Sequence, residues 1–166
     1  MKVIITALIF LLLFPTLVLA GTLTMGARAG LYSPPEAGAS PSLMYGVTAN
    51  YDVSEYLLLR GAAENTSYSV GSNSYTLTPI TIDAILHTHL GSLTPYAGAG
   101  VGYYTRTVNG VSSSTTGVQA ETGLKFTIGN VDSGFEIRYL LPDTANTASG
   151  SMSYNGYVTG GFSTTF

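Results

Sequence analysis

The chain has 166 residues, enough for one domain of ordinary size. Charged residues make up 9% of it and hydrophobic ones 45%, whereas a typical soluble domain carries roughly 25% charged residues. The net charge of −3 leaves no basic stripe to neutralise phosphates, which excludes nucleic acid as a partner, and zero cysteines exclude a disulfide framework, thiol catalysis and an N-terminal lipid anchor on Cys.

Residues 1–20 read as a signal peptide. One positive charge at Lys2 precedes the apolar run Val3 to Leu13, followed by Pro15 and a small-residue ending at Ala20. The remaining 21–166 form the single expected domain. No later apolar run reaches 18 residues, so no helical span is expected; twenty glycines, twelve tyrosines and abundant Ser and Thr point to strands and turns.

Alternating segments predict eight strands at Thr22–Tyr32, Leu43–Tyr51, Tyr56–Asn65, Thr78–Thr88, Thr94–Thr105, Gly117–Phe126, Gly134–Leu141 and Met152–Phe166. Segments of about 10 residues are what a tilted strand needs to cross a bilayer. Short connections follow the second, fourth and sixth strands, and long polar ones follow the first, third, fifth and seventh. Such alternation is the pattern of an up-and-down antiparallel transmembrane barrel with both termini on the periplasmic side. The four long connections read as flexible, solvated and nearly uncharged loops.

Four of these strands each carry two ionisable residues: Arg60 and Glu64, Asp83 and His87, Glu121 and Lys125, Glu136 and Arg138. Every pair has even spacing, which places both members on one face. Adding Arg28, that face carries Arg28, Arg60, Glu64, Asp83, Glu121, Lys125, Glu136 and Arg138, while the opposite face is uncharged. Lipid is therefore expected against the uncharged face, and the charged set inside the barrel, four basic and four acidic side chains compensating one another. Tyr32, Tyr45, Tyr51, Tyr103, Phe126 and Phe135 fall near strand ends, where interfacial aromatic girdles are expected.

The fifth strand is unusual. From Pro95 to Tyr104 one parity reads Pro, Ala, Ala, Val, Tyr and the other Tyr96, Gly98, Gly100, Gly102, Tyr104. Three glycines at period two suggest a face crowded by large neighbours. Leu93–Tyr104, a Thr-Pro-Tyr turn followed by alternating Gly and Ala and a Tyr pair, resembles a strand of the small eight-stranded outer-membrane β-barrel family of Gram-negative bacteria, which includes the protein-A-like barrel domain. The ending Tyr154–Phe166 resembles the C-terminal assembly signal of outer-membrane proteins, which implies recognition of Phe162 and Phe166 by the barrel-assembly machinery.

The resemblance implies a bacterial outer-membrane location, surrounding lipid as a partner, and a structural or surface-interaction role through the long loops, with no ligand named. Two other readings stay open: a narrow porin-like conduit lined by the interior charges, and a lipid A-modifying enzyme. Against the latter, the family's deacylase branch has a His-x-Ser motif after the strand-seven arginine, whereas Arg138 here is followed by Tyr139-Leu140-Leu141-Pro142. His87 and His89 without a clustered third ligand make a weak zinc signal, so neither metal nor cofactor is expected.

Overall fold

In a computed structural model that describes residues 22–128 and 131–161, the chain forms eight antiparallel strands. They are β1 (Leu23–Ser33), β2 (Ser42–Asp52), β3 (Leu57–Val70), β4 (Asn73–His87), β5 (Leu93–Val108), β6 (Val111–Ile128), β7 (Val131–Leu141) and β8 (Ser151–Gly161). Each pairs with its sequence neighbours, and β1 pairs with β8 to close the barrel. Closure follows from the alternation: with one face apolar and outward throughout, an open sheet would leave two unpaired edges in hydrocarbon.

The register is the one the parity requires. Arg60 lies opposite Asp83 and Glu121 opposite Arg138, so each inward set shares its level with the next strand's. Outward positions are exposed and apolar, among them Leu31 at 57%, Ile82 at 64% and Phe135 at 69% exposure. These outward residues form a continuous belt around the wall. Slipping any strand by one residue would put its charges into that belt.

The glycine parity of β5 has a direct spatial cause. A Cβ at Gly100 would meet Asp83 Oδ1 at 2.0 Å and the Ile82 carbonyl at 2.3 Å, and one at Gly98 would meet Ile85 Cγ1 at 2.8 Å. The inward side chains of β4 therefore lie across the bare face of β5.

Two predicted loops are not loops. The expected connections Thr66–Leu77 and Arg106–Thr116 are taken up by continued strand pairing, from Thr66↔Leu77 to Val70↔Asn73 and from Arg106↔Ser113 to Val108↔Val111. The connecting turns shrink to Gly71-Ser72, with Gly71 at φ 59°, and Asn109-Gly110, with φ of 50° and 85°. Positive φ at both central residues is the type I′ hairpin geometry that Asn-Gly favours. Outward hydroxyl pairs hold the extensions: Ser67 with Thr76 at 3.1 Å, Thr105 with Ser114 at 3.1 Å, and Thr107 with Ser112 at 2.8 Å. Thus β3 to β6 project beyond the apolar belt as a four-stranded sheet at what is here called the upper end. The connections between β1 and β2 and between β7 and β8 flank it.

Residues 1–20 and the pair Phe162 and Phe166 lie outside the described residues. Tyr32 departs from its expected place in an outer girdle. It is even-numbered on a strand whose even positions face inward, and it is 1% exposed inside the barrel.

Candidate functional site: the charged interior and the projecting sheet

At mid-height the inward faces of β1, β3, β6 and β7 bring Arg28, Arg60, Glu64, Glu121, Glu136 and Arg138 into one cluster, each at most 6% exposed. Arg138 donates twice to Glu64, at 2.6 and 2.9 Å, a bidentate fork, and its second nitrogen also approaches Met44 Sδ at 3.3 Å. Arg28 bridges the two acidic groups, donating to Glu64 at 2.8 Å and to Glu136 at 3.1 Å. Arg60 donates to Glu136 at 2.5 Å, to Glu121 at 3.3 Å and to the Asn50 amide oxygen at 3.0 Å. Its guanidinium also lies 5.5 Å from the Tyr96 ring centroid and 5.6 Å from that of Tyr157. The planar, many-donor head of arginine suits this service to several carboxylates.

The expected interior set differs from the observed cluster in two members. Lys125 shares the inward parity but sits at the lower rim, where Nζ donates to Asp132 at 3.1 Å and both side chains are about a quarter exposed (23% and 24%). Lys125 is near the end of a strand, so the parity that selected it fixed a face but no depth. Asp83 is fully buried, yet among the described residues it forms no ion pair; it accepts from Gln119 Nε2 at 2.6 Å and from Thr81 Oγ1 at 3.3 Å. The expected four-to-four balance is thus three guanidinium groups against four carboxyl groups. Asp83 depends on neutral partners, with Tyr104 donating in turn to Gln119 at 3.3 Å.

Of the neutral partners, Tyr96 and Tyr104 stand out in the sequence as the ends of the glycine face of β5; Gln119, Asn50 and Asn155, whose Nδ2 lies 3.5 Å from Glu136 Oε1, do not. They share the inward parity of their strands, and without charge they resemble ordinary strand residues.

The cluster is capped at both ends. Above it pack Tyr32, Met44, Tyr68, Leu77, Tyr104 and Leu140; below it pack Ile85, Tyr96 and Tyr157, with Leu58 against them. An eight-stranded barrel has room for little beyond its own side chains, and these layers use it. His87 points inward near the lower end, edge-on to His89 with ring centroids 5.4 Å apart, and His89 Nδ1 lies 3.0 Å from Thr94 Oγ1. Among the described residues no group of three or more His, Cys, Asp or Glu side chains is placed to hold a metal ion.

The upper end has different chemistry. Beyond the apolar belt the ionisable acid and base side chains among the described residues are Glu36, Arg106 and Asp143. Glu36, from the β1–β2 connection, pairs with Arg106 of β5 and accepts from the Tyr68 hydroxyl at 3.0 Å. Burial, then the neighbouring Tyr32 and the Glu36 carboxylate, push the Tyr68 phenol above its ordinary range and keep it a donor. The β7–β8 connection is tied down by Thr115 Oγ1 donating to the Pro142 carbonyl at 2.7 Å and by an Asp143 carboxylate that accepts from the Ala145 backbone at 2.9 Å.

The projecting sheet has two bare edges. β2 last pairs with β3 at Thr66, leaving Ser67–Val70 beyond it; β7 last pairs with β6 at Val118, and Leu141–Pro142 still covers Gly117 and Thr115, which leaves residues 111–114 open on that side.

No family model matches the sequence, and no curated protein is similar to it at the sequence level. Solved structures do match in fold. Neisserial surface protein A (NspA) superposes with a TM-score of 0.66 at 22% identity, covering 87% of this chain and 98% of that one. Ail, the attachment invasion locus protein of Yersinia pestis, in complex with the heparin analogue sucrose octasulfate, gives 0.60 at 12% identity over 86% and 99%. The N-terminal β-barrel domain of Pseudomonas aeruginosa OprF gives 0.58 at 17% identity over 86% and 99%. The chain therefore has the closed eight-stranded fold of Gram-negative outer-membrane barrels.

Proposed function

We propose that this is a non-enzymatic barrel of a Gram-negative outer membrane, and that its projecting sheet docks an extended segment of a partner protein by strand addition to β6. The observation that carries this reading is the open edge at residues 111–114. It runs about 10 Å at roughly 3.4 Å per residue, and the segment Val111-Ser-Ser-Ser114 contains neither a charged residue nor proline. Lysines, prolines and bulges are the usual devices that keep such edges from pairing, and a strand without them is a template for added chain. In this reading residues 1–20 direct export, Phe162 and Phe166 engage the assembly machinery, and the upper end is extracellular.

The capped interior supports a structural role for Arg28, Arg60, Glu64, Asp83, Glu121, Glu136 and Arg138 over conduction, with Lys125 stabilising the lower rim. Both caps would have to move for a solute to pass, so purified protein in planar bilayers is expected to stay electrically silent. A lipid-modifying activity would need a nucleophile and base within reach of each other. A hydroxyl and an imidazole do meet at the lower end, Thr94 Oγ1 and His89 Nδ1 at 3.0 Å, but the partner facing that imidazole from the other side is the His87 ring rather than a carboxylate that would orient it as a base.

Topology is tested by single cysteines in this cysteine-free chain. Ser112→Cys should react with a membrane-impermeant maleimide on intact cells, and Ser92→Cys, in the β4–β5 turn, only after permeabilisation; the reverse pattern refutes the orientation. Docking is tested by Ser112→Lys with Ser114→Lys, which should abolish adhesion of expressing cells to immobilised serum proteins while the barrel stays folded. Equal adhesion by the parent and the double variant would refute the β6 edge as the docking strand.

A further inference from the structure

The interior cluster is one positive charge short. At its level β1 contributes Arg28, β3 Arg60 and Glu64, β4 Asp83, β6 Glu121, and β7 Glu136 and Arg138, while the inward faces of β2, β5 and β8 contribute neutral side chains there. The other ionisable acid and base groups belong to the ends: Glu36, Arg106 and Asp143 above, and Asp52, His87 and the Lys125–Asp132 pair below. Three guanidinium groups therefore meet four carboxyl groups in a dry space.

The four carboxyl groups are served unequally. Glu64 accepts three guanidinium N–H groups, at 2.6, 2.8 and 2.9 Å. Asp83 accepts on both oxygens, and Tyr104, by donating to the Gln119 amide oxygen, turns the amide nitrogen toward Asp83. Glu136 accepts from Arg60 at 2.5 Å, Arg28 at 3.1 Å and the Tyr96 hydroxyl at 2.9 Å. Glu121 draws on the same two guanidinium nitrogens and comes second at both: Arg60 Nη1 is 3.3 Å from its Oε1, and Arg28 Nη1 is 4.0 Å from its Oε2. That Oε2 is buried and has no hydrogen-bond partner among the described residues.

Two carboxyl groups that share guanidinium nitrogens are close neighbours, and like charges at one buried site favour a single negative charge between them. A buried carboxylate without its own partner is costly enough to take up a proton instead. A metal ion would need converging ligands, and among the described residues no three His, Cys, Asp or Glu side chains are placed to hold one. A proton needs no such room. We infer that Glu121 holds a proton at neutral pH, so that Glu121 and Glu136 form a proton-sharing pair with one negative charge and the cluster balances at three positive and three negative groups.

The consequence for stability follows from linkage. A free glutamate titrates at about 4.3, so at neutral pH the unfolded chain has lost a proton that the folded barrel keeps. Stability is therefore lost as pH rises through the range in which Glu121 ionises. The site is independent of the β6 edge and would persist if strand addition proved wrong.

The experiment uses the whole mature barrel in a detergent without carboxyl or ester groups. At neutral pH its infrared spectrum should contain the carbonyl stretch of one protonated side-chain carboxyl, a band separate from those of carboxylates. Glu121→Gln should abolish the band, and Asp83→Asn should leave it. Because the amide replaces a group that is already neutral, Glu121→Gln should fold, as read by heat-dependent gel mobility, with a urea midpoint no lower than the parent's. Glu136→Gln should unfold at lower urea. On raising the pH, the parent's folding constant should fall by up to about tenfold per pH unit relative to that of Glu121→Gln, the effect of one proton. An absent band, a band that survives Glu121→Gln or vanishes in Asp83→Asn, parallel pH dependences, or a Glu121→Gln variant that fails to fold would overturn the assignment.

Discussion

The belt-height half of the barrel and the half that projects above it are built from the same strands and held by opposite means. At belt height, the outside is aliphatic and the inside concentrates three arginines and four acids in contact with one another or with neutral donors. Above it, the outside is a ladder of serine and threonine pairs, and the inside is a small tyrosine-floored cup. The difference teaches where each kind of interaction is affordable. A buried ionic cluster is costly to desolvate and costly to break, so it fixes one arrangement. Exposed hydroxyl pairs contribute little each and leave the edges beside them free to accept a partner.

The comparison breaks most readily at Arg138. Replacing it with Leu leaves Glu64 with Arg28 alone and the buried cluster with two guanidinium groups against four carboxyl groups, and removing one partner of a buried pair costs about 3–5 kcal/mol; the urea midpoint and heat-dependent gel mobility should both fall sharply. Next is Gly100→Ala, whose methyl meets the Ile82 carbonyl as well as Asp83. Overpacking of this kind costs about 1–3 kcal/mol, whereas Gly61→Ala, with its nearest atom 4.0 Å away, should be well tolerated in the same unfolding assay.

Asp83→Asn sharpens the contrast inside the core. Because Asp83 forms no ion pair there, the nearly isosteric amide should cost about 1 kcal/mol and clearly less than Arg138→Leu; an equal loss would mean that Asp83 is an essential charged member of the cluster. The smallest effect is expected at Thr107→Ala in the projecting sheet, within about 0.5 kcal/mol. A larger shift in the unfolding midpoint would show that the hydroxyl ladder holds the barrel together as firmly as the interior does.

Much of the fold was legible because a strand's two faces must meet different solvents. Arg60 with Glu64, and Glu136 with Arg138, announced their shared face by even spacing alone, and the bare parity of Gly98, Gly100 and Gly102 announced large neighbours. Depth along the barrel was not legible: Lys125 and Glu121 are four residues apart on one face, yet one is at the rim and the other at the centre of the cluster. The projecting hairpins are not legible from polarity, because runs of uncharged Ser and Thr have the composition of loops as well as of solvated strands. The Asn109-Gly110 turn between Thr105-Arg106-Thr107-Val108 and Val111 was the signal that they continue as strands.

The sequence by itself determined which side of every strand faces apolar surroundings, because alternation at period two survives any error in where a strand begins. Only the tertiary structure decided which charges meet, that Asp83 relies on Gln119, and that Glu36 and Arg106, 70 positions apart, close one cup. Those pairings depend on strand stagger and on height within the closed barrel, and neither is encoded in the spacing of residues along one strand.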